Sequence, residues 1–217
     1  SDVCSSDLSI MNKILKLVAI SLLASSAANA ETKTSLSYIS SSSDLTYSTA
    51  KVAIDMDGYS IGTTVDINEQ LFLTGVYQKL SGTLTASISG TTLASGNLDQ
   101  DTLTFGLGIN LINELDREAG TGSNLKTVLA YSKSDLGTLS ENSTLLGLGY
   151  DFALAKNVSV NATFSGVVDD FNPAYGLGIS YSLGGGQLFA GYAFSDDNIA
   201  GIKLEQSAFN VGYSLDF

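Results

Sequence analysis

The chain has 217 residues, 44% hydrophobic and only 15% charged, with 22 glycines, a single proline and neither histidine nor tryptophan. A formal net charge of −12 argues against a partner bound through its phosphates, so no nucleic acid is expected. The lone Cys4 excludes an intramolecular disulfide and a cysteine-based metal cluster.

Residues 1–10, SDVCSSDLSI, fit no leader and read as an upstream, non-native segment. From Met11 the sequence MNKILKLVAISLLASSAANA has the parts of a secretory signal peptide. Lys13 and Lys16 supply a positive start, Leu17 to Ala28 a short apolar core, and Ala28-Asn29-Ala30 a cleavage site. The mature chain is expected to begin at Glu31, with no uncharged apolar run of about 18 residues that could cross a bilayer as a helix. Asp2, Asp7, Lys13 and Lys16 cancel, so the charge of −12 stays with residues 31–217.

After a leading segment, 31–45, the chain alternates apolar and small polar residues with a period of two, the signature of strands. The regularity is clearest in DTLTFGLGINL (101–111), TLLGLGYDFAL (144–154), AYGLGISYSL (174–183) and AFNVGYSLDF (208–217). Ten spanning segments are expected over 46–217: 46–56, 58–67, 70–80, 101–111, 124–134, 143–154, 157–167, 174–183, 187–195 and 206–217. Asp57-Gly58 reads as a two-residue hairpin turn between the first two. Asn68-Glu69-Gln70, Ala155-Lys156-Asn157 and Gly184-Gly185-Gly186 read as tight periplasmic turns, and 113–123 as a longer periplasmic connection. Acidic, Ser-rich stretches at 80–100, 134–142, 168–173 and 196–205 read as extracellular loops. If 32–40 and 83–90 also cross, the count becomes twelve; if the first hairpin lies outside the wall, it becomes eight.

The polar face of these strands carries Gly, Ser, Thr and Asn with few charges, whereas the apolar face ends in aromatics. That pattern suits apolar side chains facing lipid and small polar ones facing a lumen. Backbone groups in a bilayer must be paired within the protein, which strands achieve only by closing. The expected fold is therefore all-β, a closed antiparallel transmembrane β-barrel preceded by a signal-peptide helix.

Over 46–217 the chain resembles the small Gram-negative outer-membrane β-barrel proteins of the OmpA-like, porin-like superfamily. The likeness rests on DGYSIGTTVDINEQLFLTGVYQ, on strand–turn–strand units of the GLGYDFALAKNVSV type, and on the terminal FNVGYSLDF. The resemblance implies location in the cell outer membrane. It also implies an assembly signal read by the outer-membrane assembly machinery: Phe209, Val211, Tyr213, Leu215 and Phe217. No peptidoglycan-binding domain is expected after the barrel.

By alternation Lys51, Asp55, Asp66, Lys126, Asp151 and Asp216 point into the lumen. They read either as ion pairs plugging a narrow barrel or as a selectivity constriction. Lys126 and Asp151 fall at similar heights on neighbouring strands, close enough to pair. The Gly-Leu-Gly repeats at 106–108, 147–149 and 176–178 lack the strand-to-helix setting of a dinucleotide loop and read as wall glycines. Asp169-Asp170 and Asp196-Asp197 read as solvated loop charge. Without histidine or a mature thiol, a Ser or Thr nucleophile has no positioned base, so no enzymatic activity, cofactor or metal is expected. What remains is a monomeric structural or surface-interaction barrel with at most a narrow, cation-preferring pore. A small diffusion porin is the alternative, and an adhesin the more distant one. The acidic loops would meet the phosphates of lipopolysaccharide through divalent cations.

Overall fold

A computed structural model describes residues 32–168, 173–199 and 202–217. The upstream segment, the signal peptide, Glu31 and Asp169-Asp170 lie outside them. Ten strands run in chain order: β1 (Lys33–Tyr47), β2 (Ala50–Asp66), β3 (Leu71–Ile88), β4 (Thr91–Asn113) and β5 (Ser123–Leu136), then β6 (Leu139–Ala155), β7 (Val158–Val167), β8 (Ala174–Ser182), β9 (Gly186–Ile199) and β10 (Ile202–Asp216). Each pairs antiparallel with its sequence neighbours, and β10 closes on β1. The connections after β2, β4, β6 and β8 and both termini of the described barrel share one end, here the near end; the connections after β1, β3, β5, β7 and β9 share the far end.

The count of ten agrees with expectation, but the first two strands differ. Residues 33–47 form a wall strand rather than a lead. Residues 46–56 and 58–67 are not two strands joined at Asp57-Gly58; they belong mainly to β2, which runs unbroken through that dipeptide. Two errors of opposite sign left the total unchanged.

The reason is a change of environment along one strand. Tyr59, Ile61 and Val65 of β2 are exposed on the outer face while Ser60, Gly62 and Thr64 point inward and are buried. Beyond Gly58 the apolar residues are the inward ones, Ile54 and Met56, and the outward ones are Asp55 and Asp57. The pleat keeps its phase, but the hydrophobic set moves from the outer to the inner face. In sequence that reversal looks like a turn. Gly58 itself answers to close packing: a Cβ there would collide with the carbonyl oxygen of Lys79 on β3.

The same exchange recurs around the barrel. On the outer face of β4, Leu103, Phe105, Leu107 and Ile109 give way to Asp99 and Asp101; on β5, Leu129 and Tyr131 give way to Lys133 and Asp135. The changeover follows a ring of aromatics that includes Tyr38, Tyr59, Tyr77, Phe105, Tyr131, Tyr175, Phe194 and Phe209. An apolar belt of strand face bounded by aromatics is the shape of a lipid-facing surface. Past the ring, the barrel interior holds an apolar core that includes Leu45, Ile54, Met56, Leu80, Leu136 and Leu204. Each large aliphatic side chain fully buried there contributes about 1.5–3 kcal/mol, so the far end is held as a soluble protein is.

Most of 80–100, read as a loop, is strand: β3 and β4 form a tall hairpin turning at Ser89-Gly90, both with positive φ. The expected turns at 68–70, 155–157 and 184–186 are observed, and Asp116 pairs with Thr121 within the 113–123 connection.

Candidate functional site

The interior is layered, and the near-end layer carries the charges. Lys126 on β5 and Asp151 on β6 are diagonal neighbours, since Lys126 lies opposite Gly149 and Asn124 opposite Asp151. Their side chains meet at 2.9 Å and are only 6% and 3% exposed. Lys33 and Asp216 lie directly opposite each other across the β1–β10 closure and pair at 3.0 Å, with Asp216 the more open of the two. Asp66, at the inward end of β2, is within electrostatic reach of Lys33.

A sixth charge comes from outside the strands. Arg117 sits in the β4–β5 connection, whose turn is set by paired backbone bonds between Asp116 and Thr121 and by Asp116 Oδ1 accepting from the amide of Ala119. The Arg117 carbonyl accepts from Asn157 N at 2.7 Å, and the Gly122 carbonyl from Ala153 N at 3.1 Å. These bonds dock the connection on the β6–β7 turn and carry the guanidinium toward Asp151 and Asp216. Burial pushes it below its ordinary pKa, and the two carboxylates oppose that shift. Three cations and three carboxylates thus gather at one mouth. Sequence alternation missed Arg117 because it is not on a strand; the available signal was that it is the only arginine in the chain.

Two of the residues expected in the lumen are elsewhere. Lys51 and Asp55 point outward, on the far-end stretch of β2, and Lys51 pairs with Asp44 at 2.9 Å. Asp44 raises the Lys51 pKa, chiefly through their hydrogen bond. Their inward assignment came from placing a turn at Asp57-Gly58, and one continuous strand reverses it. The terminal residues Phe209, Val211 and Leu215 lie exposed on the outer face, and Tyr213 donates to the Leu183 carbonyl at 3.2 Å. Phe217 is exposed, with its amide bonded to the Thr32 carbonyl. Asp196 and Asp197 belong to β9 rather than to a loop.

Above the charges the wall turns small, with Gly62, Gly106, Gly147, Gly176, Gly191 and Gly212 facing inward. A cavity of about 50 Å³ opens there, lined by residues including Lys33, Thr64, Asn161, Gln187, Asn210 and Ser214, room for a few waters. A hydroxyl belt follows, with Thr104 and Ser132 bonded at 2.8 Å and Thr102 and Ser134 at 3.0 Å. Among the described residues the buried amides of Gln78 and Gln206 have no hydrogen-bond partner. A mainly aliphatic core then fills the far end, with Gln100 buried between Leu80 and Leu136. Chemically, this sequence of layers offers ion pairing and hydration. Among the described residues no group of acidic, His or Cys side chains could hold a metal ion.

No family model matches the chain, and no curated protein is similar to it in sequence. Solved structures do share its fold. The translocator domain of autotransporter NalP from Neisseria meningitidis has a TM-score of 0.50 at 11% identity, over 100% of this chain and 98% of that one. The Ralstonia pickettii toluene transporter TbuX gives 0.43 at 9% identity over 88% and 90%, and the attachment invasion locus protein Ail of Yersinia pestis 0.35 at 12% over 86% and 100%. The likeness to the NalP translocator domain is one of fold alone.

Proposed function

We propose that this chain is an integral protein of the bacterial outer membrane, of the OmpA-like, porin-like kind, with its near end in the periplasm and its far end outside the cell. Its role is structural or surface-interacting rather than enzymatic, and it conducts at most a trace of cations. The observation that carries this reading is the layering of the interior: a buried Lys126–Asp151 pair at one end and a mainly aliphatic core at the other, with Gln100 buried between Leu80 and Leu136. An ion would have to pass the pair and then a layer of mainly aliphatic side chains that solvates it poorly.

The surroundings of the far end support lipopolysaccharide as a neighbour reached through divalent cations. Lys51, Lys79, Lys133 and Lys203 are each already paired with a carboxylate of this chain, at 2.9, 3.9, 3.2 and 2.8 Å. The excess of acids over bases leaves little direct attraction for lipid phosphates. The terminal strand presents Phe209, Val211, Tyr213, Leu215 and Phe217 as the segment for the assembly machinery, and the folded unit is a monomer.

Planar-bilayer conductance of refolded protein in KCl tests the reading. The expected result is a silent or barely conducting bilayer. Stable, long-lived steps from single molecules would replace it with the small-porin reading, for which the glycine-lined cavity is the one favouring feature.

A further inference from the structure

β4 is 23 residues long, yet its pairing with β5 begins only at Gln100, opposite Leu136. The last tie on that side is the bond from Gly137 N to the Asp99 carbonyl. From Thr91 to Leu98 the strand has β3 on one side, and among the described residues nothing pairs with the other. Residues 91–97 are exposed, with Leu93 at 63%. The free edge is also chemically bare: Ser81 to Leu98 contains no charged residue and no proline, in a chain of net charge −12. Proteins ordinarily protect such edges with lysine, proline or a covering segment. The irregularity of pairing between Ala86 and Ser87 is the one local distortion.

Which backbone groups are free follows from the pairing phase. Asn110 N bonds to Gln70 O toward β3, whereas Asp99 O bonds toward β5. The β3–β4 register is unbroken from Ile109 to Ala94. Even-numbered residues over this stretch therefore bond to β3, and Ser95 and Asn97 turn their N–H and C=O to the open side. Toward the barrel axis the hairpin shows Leu84 and Leu98, which pack on the apolar core; outward it shows Thr83, Thr85, Ser95 and Asn97. At the base of the edge the exposed carboxylate of Asp99 lies beside Asp101 and Asp135 on the paired strands.

We infer that the open edge of β4, Thr91–Leu98, is a docking site for an extended segment of another polypeptide, which adds as a strand beside Ser95 and Asn97. The fitting segment alternates apolar and hydroxyl-bearing side chains, the apolar ones turned toward Leu98. It carries a basic residue at the end that reaches Asp99. Main-chain bonds supply the attraction, and side-chain alternation with the Asp99 charge supplies selectivity. A second copy in the same membrane fits poorly, because an axis normal to the membrane would bring two tilted β4 edges together crossed and pointing the same way. The inference deepens the surface-interaction reading above, since it rests on the far end being outside the cell.

The test uses the full refolded chain in detergent, with an alternating Thr/Val peptide flanked by lysines as probe and its glutamate-flanked twin as comparison. Hydrogen exchange at the Ser95 and Asn97 amides should slow by about tenfold or more when an edge amide becomes bonded, and less with the glutamate twin. Ser95→Pro removes a donor that faces the open side, so it should fold and lose the protection at Asn97. Gly96→Pro, by contrast, should damage the hairpin itself. Asp99→Lys should reverse the preference between the two peptides. No slowing at Asn97, the same slowing in Ser95→Pro, or an unchanged preference in Asp99→Lys would each overturn the inference. Conductance is indifferent to all of these, so either reading can fail without the other.

Discussion

Removing one member of the Lys126–Asp151 pair strands the other charge in a nearly water-free site. Asp151→Asn should therefore cost about 3–5 kcal/mol, whereas Lys126→Met with Asp151→Leu should cost far less, because paired charges recover little more than their desolvation. Urea unfolding of protein refolded into lipid vesicles measures both. A double variant as unstable as the single one would refute the account. On the outer face, Leu107→Arg and Leu148→Arg place a charge within the apolar belt and should each cost about 2–4 kcal/mol. The inward Ser35→Ala, which lines the cavity, should be mild in the same assay. Equal tolerance would mean the faces are assigned backwards. Gly108 makes a poor inward control, because a side chain there would strike the ring of Phe72.

At the scale of the strand, β2 shows how one element serves two environments. Its lower half presents Tyr59, Ile61 and Val65 outward, and its upper half presents Ile54 and Met56 inward, so Gly58 lies where the apolar outer face ends and an ordinary core begins. The approach of β3 makes this glycine a structural requirement. Gly58→Val should cost at least the ~1–3 kcal/mol typical of forced overpacking. A true hairpin turn at Asp57-Gly58 would behave differently, with single-cysteine labels at Asp55 and Asp57 reporting opposite faces. In a continuous strand both should react readily with an external, membrane-impermeant thiol reagent.

For the molecule as a whole, the proposed role requires two seals of unlike chemistry in series along one axis. The near one would be electrostatic, from Lys33, Asp66, Arg117, Lys126, Asp151 and Asp216 around one mouth; the far one would be mainly aliphatic. Current through seals in series is limited by the tighter one. Neutralising Lys126 and Asp151 together, or converting Leu80 and Leu136 to serine, should each leave planar-bilayer conductance near zero, and only the combined variant should conduct. A large current after either change alone would show that the other layer seals nothing.

Much of this was legible in the sequence, and the boundary has a physical origin. Period-two alternation through 101–111, 144–154 and 174–183 determined strands, their faces and closure, because a lipid-facing strand must keep one apolar side and pair every backbone group. It also placed Lys126 beside Asp151, since the alternation of both strands is unbroken across the turn-proximal stretch where they sit. What it could not determine was where the apolar outer face stops. At that level the apolar set changes face without any change in the backbone, so the reversal at Asp57-Gly58 passed for a turn, hid β1 as a wall strand and sent Lys51 and Asp55 to the wrong side. Tertiary structure alone decided these, together with the reach of Arg117 from its connection and the open edge of β4. Each depends on which distant segments lie alongside, and local alternation carries no record of that.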